Sequence, residues 1–222
     1  MTKGEIQTLR LFIWPLSIML GITAILILQY GRDNLFLMVN TIHHPLADRL
    51  FTWITWLGDG WMNVLVLIWF VFKSKKWLVH GAAAFLLSFL FSRLGKDILF
   101  NGAFRPVKYF EAEGTVIRTI EGLQIHEYNT FPSGHTITAF SMFLILSLYF
   151  RKSSLTLFFL CMAMLVGFSR IYLAQHFPTD VFAGAIIGVT VTLLTYIFIE
   201  QYRQKHPDKF KDLPVIKSTP HA

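Results

Sequence analysis

Residues 181–199, VFAGAIIGVTVTLLTYIFI, run for nineteen positions without a charge, with Asp180 before them and Glu200 after. At about 1.5 Å of rise per residue such a helix is roughly 28 Å long, close to the ~30 Å hydrocarbon core of a bilayer. The stretch therefore reads as a membrane-crossing helix. Five more apolar stretches precede it, at residues 11–28, 57–72, 77–100, 132–150 and 155–173, set apart by charged or proline-containing breaks. The second is the weakest, because Gly58-Asp59-Gly60 interrupts it. With 54% hydrophobic and only 15% charged residues, the chain is too apolar for a soluble domain of its size. An all-α polytopic membrane protein with six transmembrane helices is predicted. Residues 35–57 mix apolar side chains with His43, His44, Asp48 and Arg49, which fits a short amphipathic helix lying at the interface. No internal repeat is present, so residues 1–200 read as one membrane domain and 201–222, with Pro207, Pro214 and Pro220, as a basic tail.

The net charge of +7 is not spread evenly. In a six-helix arrangement twelve of the 20 basic residues fall on one side: Lys3, Arg10, Lys73, Lys75, Lys76, Arg151, Lys152, Arg203, Lys205, Lys209, Lys211 and Lys217. Arg32, Arg49, Arg105, Lys108 and Arg118 fall on the other. The positive-inside rule then puts both termini in the cytoplasm of a cell whose inner membrane holds the protein. The basic charge thus belongs to membrane topology, and no nucleic-acid partner is expected. The first span begins basic but lacks a small-residue cleavage site after it, so it is expected to stay as an anchor. Cys161, the single cysteine, lies in mid-span and is expected to be a free core thiol.

Three stretches carry chemistry, and the topology puts all of them on the outer side. Pro132-Ser133-Gly134-His135 opens the fourth span with residues suited to a helix start, where unpaired N–H groups and the helix dipole favour an anion. On its own it is also what an ordinary capped helix with an incidental histidine would show. His176 and Asp180 lie four apart at the start of the last span, so the carboxylate can hold one imidazole nitrogen and leave the other free to attack phosphorus. Arg170, six residues before His176, offers a fork of donors to phosphate oxygens; the plainer reading is an arginine snorkelling to the head groups. Arg93, Lys96 and Asp97 end the third span, where a charge costs about 2.5–3.5 kcal/mol to insert and so needs a partner or a role. Arg93 and Asp97, four apart, can pair; Lys96 is a candidate phosphate ligand or a lysine snorkelling to the head groups, and the nearby Arg105, before Pro106, a phosphate ligand or a solvated loop residue. His135, titrating near neutrality, suits proton delivery to a leaving oxygen. His43, His44, His80 and His126 read as interfacial or loop residues, His126 standing in the 101–131 loop where substrate choice would be made.

The run Ser169-Arg170 … His176 … Asp180 resembles the third signature of the type-2 phosphatidic acid phosphatase family, and Pro132-Ser133-Gly134-His135 matches its second. Its first signature spaces Lys and Arg-Pro by six residues, whereas eight separate Lys96 from Arg105. The resemblance implies that His176 becomes transiently phosphorylated, His135 acts as general acid and Asp180 supports the nucleophile. It implies that Lys96, Arg105, Ser133, Gly134 and Arg170 hold the phosphate. The implied activity is hydrolysis of a lipid phosphate or diphosphate at the outer leaflet: undecaprenyl diphosphate or lipid A, both compatible with the topology and the first preferred, or phosphatidylglycerophosphate or phosphatidate. No metal and no other cofactor is expected, since several cationic groups in one pocket would repel a divalent ion. Phosphotransfer to a second lipid and a non-catalytic lipid-handling role are the alternatives, and the oligomeric state is left open. Soluble vanadate-dependent haloperoxidases share this pocket chemistry, and the six spans argue against them.

Overall fold

A computed structural model describes residues 1–207. Among these are eight α-helices and no strand beyond an isolated Phe104–Tyr128 bridge. They are α1 (Lys3–Thr41), α2 (Pro45–Thr55), α3 (Gly60–Lys73), α4 (Lys75–Leu94), α5 (Pro106–Ala112), α6 (Gly134–Phe150), α7 (Ser153–Tyr172) and α8 (Pro178–Lys205). A 3-10 turn, Trp56–Gly58, joins α2 to α3, and a π turn, Gly95–Leu99, continues α4.

Each of the six expected spans is helical, but they are not six equal crossings. Four helices, α1, α4 with its π turn, α7 and α8, are long and apolar enough to cross a bilayer. The weak second span is a bent pair, α2 with the 3-10 turn and then α3, meeting at 55°. The bend falls at Asp59, between the two glycines. The fourth, α6, has only 17 residues, about 25 Å of helix. It is also the hub of the bundle. It packs against α4, α7 and α8, and residues on every side of it, from Thr136 to Leu148, are buried. A helix that is apolar all round and surrounded by others is a core element.

Small residues let the surrounding backbones close on α6. A side chain at Gly188 would bring its Cβ to 2.6 Å from the Ile137 carbonyl oxygen, and one at Gly184 to 2.9 Å from that of Ser133. Gly184 and Gly188 thus form a small-xxx-small seam on α8. Thr192, one turn on, donates to Ser141 Oγ at 2.8 Å and ties the helices with a polar contact. Gly188→Ala is therefore expected to force α6 and α8 apart and cost about 1–3 kcal/mol, read as a drop of several degrees in melting temperature in detergent; Gly21→Ala, in open space on α1, serves as the neutral control.

Several expectations are corrected. No single interfacial helix spans 35–57: α1 continues to Thr41 past a kink at Gly31, whose φ of 73° favours glycine, and α2 follows separately. Beyond the kink, Arg32 lies over the Phe177 ring at 4.5 Å and Phe36 stacks on Phe110, so this end of α1 packs around the segment that carries His176. Helix α8 runs to Lys205, five residues into the expected tail; 208–222 lie outside the described residues. His80 is buried within α4, its Nε2 3.0 Å from Glu200 Oε1, which Lys76 also reaches at 2.8 Å; an interior carboxylate took it out of the interface. Cys161 is exposed on the flank of α7, because an apolar helix in a membrane need not turn its apolar residues inward.

Candidate active site

The short connection between α7 and α8 explains why His176 and Asp180 belong together. Helix α7 ends as Gln175 and His176 both donate backbone N–H bonds to the Arg170 carbonyl, at 3.0 and 3.1 Å. Pro178 then opens α8, and Asp180, the third residue of the new helix, accepts the Phe177 N–H at 2.9 Å through Oδ2. The same oxygen lies 3.4 Å from His176 Nδ1 and accepts the Thr130 hydroxyl. One helix-capping carboxylate therefore also fixes the imidazole, so that Nδ1–H faces Asp180 and Nε2 is the free nitrogen. Both residues are 1% exposed.

The N-terminus of α6 is tied to this connection by its backbone. The Ser133 N–H donates to the Asp180 carbonyl at 3.1 Å, and Gly95 of the π turn fits under Pro132, where a Cβ would approach Cδ to 2.5 Å. The ammonium of Lys96 lies over Gly134, 3.2 Å from where that residue's Cβ would stand. Lys96, in the π turn, and Arg105 reach one place although eight residues separate them.

That place is a cavity of about 420 Å³ lined by Lys96, Arg105, His135 and Arg170, with Thr55, Trp56, Asp59, Leu123, Gln124, His126 and Gln175. Four of the expected site residues line it directly. Gly134 lies against Lys96, while the Ser133 hydroxyl is wholly buried and accepts from Thr136 at 2.9 Å. His176 adjoins the group without lining the cavity, among the charges of Arg105, Arg170 and Lys96. Burial, with those three cations and His135 after it, holds the His176 imidazole well below its ordinary range, so it is neutral at pH 7. Burial also lowers Arg105 to about 10, which Asp180 partly offsets; its guanidinium stays charged. His126 is pushed down by burial and by the same three cations.

Neutral polar groups set the arginines. Arg170 donates to Thr55 Oγ1 at 2.6 Å and to Gln175 Oε1 at 3.4 Å, while Arg105 donates to the Tyr128 and Gln175 carbonyls at 2.9 and 3.3 Å. Among the described residues neither guanidinium is paired with a carboxylate, so both keep donors for an incoming anion. Arg93 and Asp97, by contrast, pair with each other at 2.7 Å. The loop over the cavity is held at Arg118: Asn40 bonds both its backbone N–H and its carbonyl at 2.9 Å, and Asp48 pairs with its guanidinium.

Thr55, Thr130, Gln175 and Asp59 were not singled out from the sequence. The first three are uncharged residues without a pattern. Asp59, whose Oδ1 lies 3.3 Å from His135 Nε2, did leave a signal: a carboxylate between two glycines in an apolar span.

The family model described as PAP2 superfamily matches residues 77–204, which hold every expected site residue. A lipid A 4'-phosphatase of Porphyromonas gingivalis is 34% identical, over 77% of this chain and 73% of its own length. The crystal structure of Aquifex aeolicus LpxE is similar with a TM-score of 0.64 and 30% identity, covering 73% of this chain and 92% of that one. A Bacillus subtilis transmembrane PAP2 type phosphatidylglycerolphosphate phosphatase follows at 0.59 and 25%, covering 84% and 95%. With the model matching more than half of its length and a relative of this identity aligned over three quarters of it, the chain belongs to the PAP2 superfamily.

Proposed function

We propose that the protein is a membrane lipid phosphatase whose cavity takes the phosphate of a lipid head group at the outer leaflet. Nε2 of His176 attacks phosphorus, the P–O ester bond breaks, and His135 gives its proton to the departing lipid oxygen. Water then attacks the phosphohistidine and the P–N bond breaks. His135 takes the proton of that water, and phosphate leaves. Lys96, Arg105 and Arg170 offset the charge on the equatorial oxygens as it builds, and Asp180 holds His176 in the reactive tautomer. The observation that carries this reading is the convergence on one cavity of three cationic side chains, without an ion pair among the described residues, beside two histidines, one of them buried and braced by a carboxylate.

The outer-leaflet topology is compatible with both undecaprenyl diphosphate, preferred from the sequence, and lipid A; the likeness to a lipid A 4'-phosphatase supports putting lipid A phosphate first. The test is phosphate release from lipid A, undecaprenyl diphosphate, phosphatidylglycerophosphate and phosphatidate by the protein in detergent. One of these is expected to be turned over at least about tenfold faster than the rest, with no phosphorylated lipid acceptor formed and no loss of rate in EDTA. A labelled acceptor lipid would replace hydrolysis with phosphotransfer, and a chelator-sensitive rate would bring a metal into the chemistry. No release from any member by folded protein would sink the enzymatic reading.

A further inference from the structure

Asp59 is the one carboxylate among the residues lining the cavity, and a negative charge there opposes the binding of phosphate. Its geometry accounts for it. Oδ1 lies 3.3 Å from His135 Nε2, the contact linking the turn between α2 and α3 to the first turn of α6. The turn is pressed into position by backbone: a Cβ on Gly58 would come within 2.8 Å of the His135 carbonyl oxygen. Asp59 is itself anchored by its N–H to the Trp56 carbonyl and by its carbonyl to the Met62 N–H, both at 3.1 Å. The other charged or titratable groups that face His135 are Arg170 from α7, Lys96 from the π turn and the neighbouring His176, with Arg105 and His126 lining the same cavity. All the fixed charges among these are positive, so each works against a proton on His135.

We propose that Asp59 is the positioning residue of the general acid: it holds His135 Nε2–H, offsets part of the cationic field around the ring, and leaves the other ring nitrogen for the leaving oxygen. This rests on the mechanism proposed above. In the first step the His176 nitrogen–phosphorus bond forms, the P–O ester bond breaks, and the His135 proton passes to the lipid alkoxide, giving an alcohol. His135 becomes neutral while Asp59 stays ionised. In the second step the proton of the attacking water returns to His135, and Asp59 again stabilises the charged ring.

The test compares kcat/KM, which reports formation of the phosphoenzyme, for an alkyl phosphate lipid and for 4-nitrophenyl phosphate in detergent. The nitrophenolate needs no proton to leave. For Asp59→Asn, a roughly 10²-fold loss on the alkyl phosphate with less than about threefold on the aryl phosphate is expected. The alkaline limb of kcat/KM on the alkyl substrate should move about one unit to lower pH, because the charged ring has lost its counter-charge. Retained aryl activity shows at once that the variant is folded. Equal losses on both substrates, no loss at all, or an unmoved alkaline limb would overturn the role of Asp59. His135→Ala is the control for the underlying mechanism. If it too loses both substrates equally, the general acid has been misassigned; if it spares the aryl phosphate and Asp59→Asn does not, only the inference about Asp59 fails.

Discussion

His176→Ala is expected to lower lipid phosphate hydrolysis by at least about 10³-fold, with the protein still inserted and melting near the wild-type temperature. The side chain is wholly buried, and its hydrogen-bond contacts among the described residues run through Nδ1 to Thr130 and Asp180, so its removal takes away the proposed nucleophile and leaves the Thr130–Asp180 pair in place. Wild-type protein quenched in base during turnover should carry labelled phosphate on His176, and the variant none. The pH profile gives a second reading. The folded protein holds His176 well below 6.5, so the nucleophile stays unprotonated as pH falls through 6.5, and its acid limb in kcat/KM should lie below that value. Stability follows the same sign: between the folded value and 6.5 the unfolded chain binds a proton that the native state refuses. The native protein therefore loses stability as pH drops below 6.5, and His176→Ala should lose less. A variant retaining a tenth of the activity, or an acid limb above 6.5, would move the nucleophile elsewhere.

The second large effect is expected at Arg170. It is 6% exposed, and its guanidinium is aimed by Thr55 and Gln175 toward the cavity. Arg170→Lys keeps a positive charge but loses the fork that meets two phosphate oxygens and both aiming contacts. Removing such a donor from a preorganised site costs roughly 10²–10³-fold in kcat. The loss should fall on kcat more than on KM, since charge on the equatorial oxygens grows toward the transition state. Thr55→Val, which leaves Arg170 in place with Gln175 as its aiming contact, should lose less. A lysine variant within threefold of wild type would make Arg170 a structural residue.

The apolar stretches and the spacing of Arg170, His176 and Asp180 made most of this architecture legible. A helix N-terminus and its third residue are local features, so four residues of sequence already fix the histidine–carboxylate contact. What stayed hidden was settled at a distance. That α6 is the hub and not a lipid-facing span depends on which neighbours enclose it, and an apolar helix carries no stripe to say so. The same absence concealed the outward face of Cys161 and the burial of His80 against Glu200. Asp59 was visible only as a fault in a span; its meaning came from the bend that brings it to His135. Thr130 reaches Asp180 and Gln175 accepts from Arg105 by hydrogen bonds across tens of residues, which no periodicity records.

The grip of Asn40 on both backbone groups of Arg118 has a practical side. Because the amide holds main chain and not side chain, the loop is registered at that point whatever residues flank it. Residues 119–127, which bring Leu123, Gln124 and His126 to the cavity, can therefore be exchanged as a cassette with those of relatives that prefer other lipids. Such an exchange would test whether this loop sets head-group preference, since its backbone also meets Gln175 at Gln124 and Arg105 at Glu127.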